Sequence, residues 1–177
     1  MGLLRGILDR IVLIAAILAA ACVPSFIAQY RQRLGGHLDQ AVRDLAPFQE
    51  IANRNHGGDL KRLIEHHLAS VDKTFREEGA AIQAIADAVE RLRAAVASLN
   101  TDLWHQLGYM MANADHDLVV ATWGDFVPAF SFTPDYALFA FGVGVAIWLV
   151  FLAAWFGCAR LISSPRHAPS KGTRGAR

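Results

Sequence analysis

Two uncharged apolar runs bracket the chain and constrain its fold more than any other feature. Ile11 to Tyr30 is 20 residues without a charge, and Tyr136 to Ala159 is 24 more. The hydrocarbon core of a bilayer is roughly 30 Å thick and a helix rises about 1.5 Å per residue, so about 20 apolar residues suffice to cross it. Both runs meet that length. The second also carries aromatic residues at its two ends, Tyr136, Trp155 and Phe156. The expected architecture is an all-α membrane protein: a short N-terminus over 1–10, a first span over 11–30, a middle region over 31–135, a second span over 136–159 and a tail over 160–177.

Flanking charge orients these spans. The tail holds Arg160, Arg166, Lys171, Arg174 and Arg177 with no acid, and the N-terminus holds Arg5 and Arg10 against Asp9. The middle region carries 10 basic and 15 acidic side chains. Basic flanks stay on the cytoplasmic side, so both termini are expected there and the acidic middle on the far side, which in a bacterial inner membrane is the periplasm. A cleaved signal peptide is the alternative for the first run, because basic residues precede it and Ala19-Ala20-Ala21 offers small residues for cleavage. Cys22 follows, but a lipoprotein site usually has a branched apolar residue where Ala19 stands. Either reading exports the middle region.

That middle region has a clear helical rhythm. Stepping by four and three from Ile64 gives Leu68, Val71, Phe75, Glu78, Ile82, Ile85, Val89, Leu92, Val96, Leu99 and Leu103, twelve positions of which eleven are apolar. A repeat sustained over that length predicts a helix packed along a partner, as in a coiled coil. Small residues flank the seam at Gly79, Ala81, Ala86, Ala88 and Ala95, so a neighbour can approach closely. The sequence leaves open whether that neighbour is a second copy or an antiparallel helix of the same chain. One candidate is the stretch Leu34, Leu38, Ala41, Leu45, Phe48 and Ala52, which keeps the same rhythm. Pro47 is expected to kink or restart it. Asn55-His56-Gly57-Gly58 reads as a loop and Asp59 as the N-cap of the long helix. The expectation is a periplasmic helical hairpin with one arm of roughly 45 residues, about 65 Å if straight. Beyond Leu103 a short helix and an extended, aromatic-rich return to the membrane are expected, with Trp123, Phe126, Phe130, Phe132 and Tyr136 near the interface.

There is no HExxH, GxSxG or phosphate-binding glycine loop, and no cysteine in the exposed region. The two cysteines, Cys22 and Cys158, lie in different spans and are not expected to pair. His105, Asp115, His116 and Asp117 have metal-donor chemistry but no ligand spacing, and His66-His67 point about 100° apart on a helix, so no catalytic, cofactor or metal site is expected. Near-neutral charge balance gives no reason to expect nucleic acid. Glu78, the one ionisable seam residue, reads either as a register-setting polar group or as a partner contact, because a carboxylate on an apolar face needs compensation. Candidate interaction residues on the seam are therefore Glu78, Ile82, Ile85, Val89 and Leu92. In the second span Gly142 with Ala146, and Ala140 with Gly144, are small residues four apart that let helices approach in lipid. Ala15/Ala19 and Ala16/Ala20 offer the same in the first.

The stretch Ser25-Phe26-Ile27-Ala28-Gln29-Tyr30-Arg31-Gln32-Arg33-Leu34-Gly35-Gly36-His37-Leu38-Asp39 resembles the FAQQY-x-QRLGG-x-x-DE box that follows the first span in a family of small proteobacterial membrane proteins classed as a domain of unknown function. Phe126 to Pro134 is similar to the F-x-PAxPLT stretch before that family's last span, with Phe130-Ser131-Phe132 departing from it. Ile27 and Ala28 depart within the first box. The resemblance implies two inner-membrane spans around a helical periplasmic insert, and it carries no activity, cofactor or catalytic residue. Within the box, Gln29, Arg31, Gln32 and Arg33 are expected at headgroup level, where they suit phosphate or protein contacts. Gly35 and Gly36 would admit a close neighbour or a bend. The leading functional expectation is a non-enzymatic, membrane-anchored interaction or scaffold protein that contacts lipid and pairs with itself or another envelope protein. The alternative is a periplasmic helical sensor, which would need a signalling partner because the tail after Arg160 is too short for an output domain. Transport is disfavoured because neither run carries an ionisable residue.

Overall fold

The computed structural model describes residues 2–130 and 133–163, with side chains from 6 to 130 and from 133 to 155. Ser131, Phe132 and the tail from 164 onward lie outside the described residues, as do the side chains of Arg5, Phe156, Cys158 and Arg160. Among the described residues there are helices and connecting turns but no strand. These residues fall into two compact units, one drawn from residues before 22 and after 131, the other from residues 22–131.

The first unit pairs the start of α1 (Gly2–Asn55) with α6 (Pro134–Ser163). Both are long and apolar enough to cross a membrane. Their small residues divide into a buried face and an open one. Ala16, Ala20, Phe139 and Ala140 are buried, and a Cβ added to Gly144 would lie 2.5 Å from Ile17 Cγ1 and 2.8 Å from its Cα. Gly144 is thus where the two backbones meet, an approach open only to a residue without a side chain. Gly142 and Ala146 are exposed instead, as are Ala15 and Ala19. Of the two interleaved small-residue stripes, only one faces the neighbour. The Trp148 indole N–H also donates to Asp9 Oδ1 at 2.7 Å.

The second unit is built from the remainder of α1 with α2 (Leu60–Leu68), α3 (Lys73–Ser98), α4 (Leu103–Asn113) and α5 (His116–Gly124). Pro47 does not restart α1, which runs through both Pro24 and Pro47. Pro47 is exposed, so the carbonyl it deprives of a partner faces water and the interruption costs little locally. The loop at 56–58 forms as read, with Gly57 and Gly58 at φ of 62° and 87°, a backbone region that favours glycine. Asp59 caps α2 by accepting from the Lys61 and Arg62 N–H groups.

The single long arm expected from Asp59 to Leu103 is instead three helices. The first break falls at 69–72. Asp72 Oδ1 accepts from Thr74 N–H at 2.8 Å and Ser70 Oγ from Asp72 N–H at 3.2 Å, while Arg76 donates to the carbonyls of Ser70 and Val71, both at 2.9 Å. At the second break Asp102 accepts from Trp104 and His105 N–H groups, and Gln106 donates to the carbonyls of Leu99 and Thr101. In both turns an aspartate caps the new helix and a long side chain from its first turns satisfies carbonyls of the turn itself.

The heptad seam survives in part as an intrachain contact. Ile82, Val89 and Leu99 are buried, and Leu99 forms a core cluster with Ile27, Tyr30 and Leu34 of α1, with Leu92, Val96, Leu103, Leu107 and Leu118 packed around it. A Cβ on Gly79 would meet His67 Cβ at 2.8 Å and Leu68 N at 3.1 Å, so the close approach inferred from small flanking residues is made by α2 against α3.

Candidate functional site: a polar clamp and an apolar tip

Charge returns to α1 at Arg31, one residue past the apolar run, and the side chains around that point reach out in several directions. Gln29 sits half-buried and grips the backbone of Val127 with both ends of its amide: Nε2 donates to the carbonyl at 2.8 Å and Oε1 accepts from the N–H at 3.3 Å. The Tyr30 ring is 1% exposed, and its hydroxyl accepts the Asp115 N–H at 3.0 Å. Arg31 donates to the Leu99 carbonyl and to Asn100 Oδ1, at 3.5 and 3.4 Å. Arg33 pairs with Asp125 at 2.6 Å. One stretch of α1 thereby ties down the α3–α4 turn, the start of α5 and the chain beyond it.

Helical geometry explains the spread. Positions 29 to 33 turn about 100° per residue, so successive side chains face different neighbours. Tyr30 shares the buried face with Ile27 and Leu34, while Gln29 and Arg33, four apart, share the face toward α5 and the segment after it. Phe26, one turn earlier, packs against Trp123 at a tilt and edge-on against Phe126, at centroid distances of 5.9 and 5.5 Å. Of the box residues expected to meet phosphates or another protein, Gln29, Arg31 and Arg33 bind this chain itself, and Gln32 is exposed. Gly35 and Gly36 have nothing within 4 Å of an added Cβ, so no close neighbour accounts for them.

The seam residues are also redistributed. Ile82 and Val89 are buried and Ile85 and Leu92 half-buried, inside the unit rather than presented to a partner. Uncovered apolar surface lies at the α2–α3 turn, where Val71 is 99% exposed and Leu68 and Phe75 about half. Glu78 is at this end, its Oε2 3.7 Å from His67 Nε2. His67 Nδ1 faces the Leu63 carbonyl at 2.9 Å and can only donate to it, leaving Nε2 toward Glu78.

A further concavity, an open groove of about 620 Å³, is lined by His37, Gln40, Asp44, Leu92, Asp115, Asp117 and Leu118 from α1, α3 and the start of α5. Among the described residues no group of three or more His, Cys, Asp or Glu side chains is arranged to hold a metal ion. In the cluster weighed from the sequence, His105 pairs with Asp102 and Asp115 caps α5. The sequence reading missed Tyr30 and Asp125, and nothing short of the fold links residues 85 and 92 positions apart.

An all-helical chain with two helices able to cross a membrane, around an internally clamped helical unit, fits a two-span membrane protein. Residues 4–164 match the family described as Protein of unknown function (DUF2937), and the chain belongs to it. Neither a curated protein nor a solved structure matches the chain.

Proposed function

We propose that the protein is a non-enzymatic, membrane-anchored interaction protein of the bacterial inner membrane. Its two spans hold the helical unit of residues 22–131 in the periplasm, and that unit presents the α2–α3 turn to a second copy or to another envelope protein, as an accessory subunit would. The observation that carries this reading is the uncovered α2–α3 turn: Leu68, Val71 and Phe75 are exposed seam positions between the buried Ile64 and Ile82. Exposed apolar residues grouped at one end of a unit mark an interaction surface more often than those scattered singly.

The test is photo-crosslinking in cells from a photo-reactive residue at Val71 or Phe75, with Val89 as the buried control. A crosslinked product from the tip and none from Val89 is expected, and its mass distinguishes a homodimer from a complex with another protein. No product from the tip would contradict the reading. A second reading, a sensory or ligand-binding unit, is favoured by the groove beside Asp44 and Asp117. It predicts a small cationic ligand that raises the melting temperature in the parent and not in the Asp117→Asn variant.

A further inference from the structure

A pocket of about 300 Å³ lies within the second unit, lined by Gln29, Gln32, Arg33, Thr122 and Asp125. We propose that it holds the headgroup of a zwitterionic phosphoethanolamine lipid, a reading that rests on the chain being a two-span membrane protein. Position along the chain supports it first. The pocket begins where the uncharged run of α1 ends, and Gln29 holds Val127 only seven residues before α6 begins at Pro134.

Polarity along α1 then follows the order of a lipid. Phe26 comes first, packed with Trp123 and Phe126. Trp123 and Val127 are 71% and 68% exposed, a cost in water but a favoured placement at headgroup level. One and two turns farther on come Gln29 and Arg33, where a headgroup would begin.

Charge supplies the specificity. Arg33 and Asp125 form an exposed pair, and such pairs add little stability and open readily. The guanidinium has five N–H donors and uses one nitrogen on Asp125, so it can also hold a phosphate. Asp125, largely exposed beside it, accepts from an ammonium. Gln32, without a partner among the described residues, adds an amide. A phosphate and a primary ammonium in one small headgroup complement this pair. A choline headgroup has no N–H for Asp125, and a glycerol headgroup offers that carboxylate hydroxyls but no cation.

The experiment places a benzoylphenylalanine at Gln32 of the full-length protein, in nanodiscs containing equal parts of phosphatidylethanolamine, phosphatidylcholine and phosphatidylglycerol, with the lipid adducts identified by mass spectrometry. The same residue at Leu149, exposed on α6, serves as the control for insertion. Adducts at Gln32 enriched at least five-fold in phosphatidylethanolamine are expected, with no enrichment at Leu149. The Asp125→Asn variant keeps an acceptor for Arg33, and hence the fold, and is expected to lose the enrichment. Adducts at Leu149 but none at Gln32, equal adducts with all three lipids at Gln32, or an unchanged preference in Asp125→Asn each overturn the headgroup site while leaving the membrane reading intact. No lipid adduct at either position overturns both.

Discussion

Tyr30 does two jobs with one side chain: its ring fills the core beside Ile27, Leu34 and Leu99, and its hydroxyl satisfies the N–H of Asp115, the residue that caps α5. Phenylalanine keeps the first and removes the second, leaving a part-buried donor without an acceptor at a cost of about 1–2 kcal/mol. Tyr30→Phe is therefore expected to lower the melting temperature with little change in helix content by circular dichroism. The glycines separate in the same way. Gly79 and Gly144 are held by their neighbours, so Gly79→Ala should destabilise the unit by roughly 1–3 kcal/mol through overpacking. Gly35 and Gly36 lie in open helix, so alanine at either should stabilise by up to about 1 kcal/mol. Thermal melts of the three variants check the contrast, and equal shifts at 79 and 35 would remove the close-approach argument.

At the scale of elements, α2, α3, α4 and α5 each begin on an aspartate: Asp59, Asp72, Asp102 and Asp115. Only Asp59 was legible as a cap, because a glycine pair preceded it. Asp72 and Asp102 carried the same local signal, but the four-three count ran through both, since a heptad pattern records which positions are apolar and not whether the backbone between them is continuous. The face was therefore readable and the breaks were not. Pro47 is a strong local breaker, yet α1 continues through it where the residue is exposed. The box after the first apolar run was visible as a cluster of polar residues, but its partners at 99, 115, 125 and 127 are set by tertiary structure. Losing a cap costs about 1 kcal/mol, so Asp72→Ala should loosen the α2–α3 turn and speed amide exchange over residues 73–76. Asp102 adds a pH dependence. The hydrogen bond with His105 is the main cause holding its carboxyl below the usual 3.8. A depressed carboxylate stabilises the fold above its ordinary value and ceases to do so as pH falls through the lowered one. The α4 amides near 104 and 105 should keep their protection down to about pH 4 and lose it in more acid solution, and Asp102→Asn should flatten that profile.

At the scale of the whole molecule, the acidic middle and the basic ends make a topological prediction. In a background with Cys22→Ser and Cys158→Ser, a cysteine at Asn53 should react with an impermeant maleimide in intact cells, and one at Ser170 only after permeabilisation. Reaction at both before permeabilisation would overturn the orientation. On the proposed reading the molecule divides its labour: the polar box of α1 holds the unit together, and the tip at Leu68, Val71 and Phe75 would meet the partner. The measurement that tests it most directly is the melting midpoint of the full-length variant Gln29→Ala, Tyr30→Phe, Arg33→Ala, read beside its crosslinking from Val71. Losing the Gln29 and Tyr30 ties, about 1 kcal/mol each, with little more from the exposed Arg33–Asp125 pair, should lower the midpoint by roughly 10 °C for a unit of this size, with the tip crosslink retained below the transition. A variant that melts like the parent but no longer crosslinks would make the box the docking site and contradict the account.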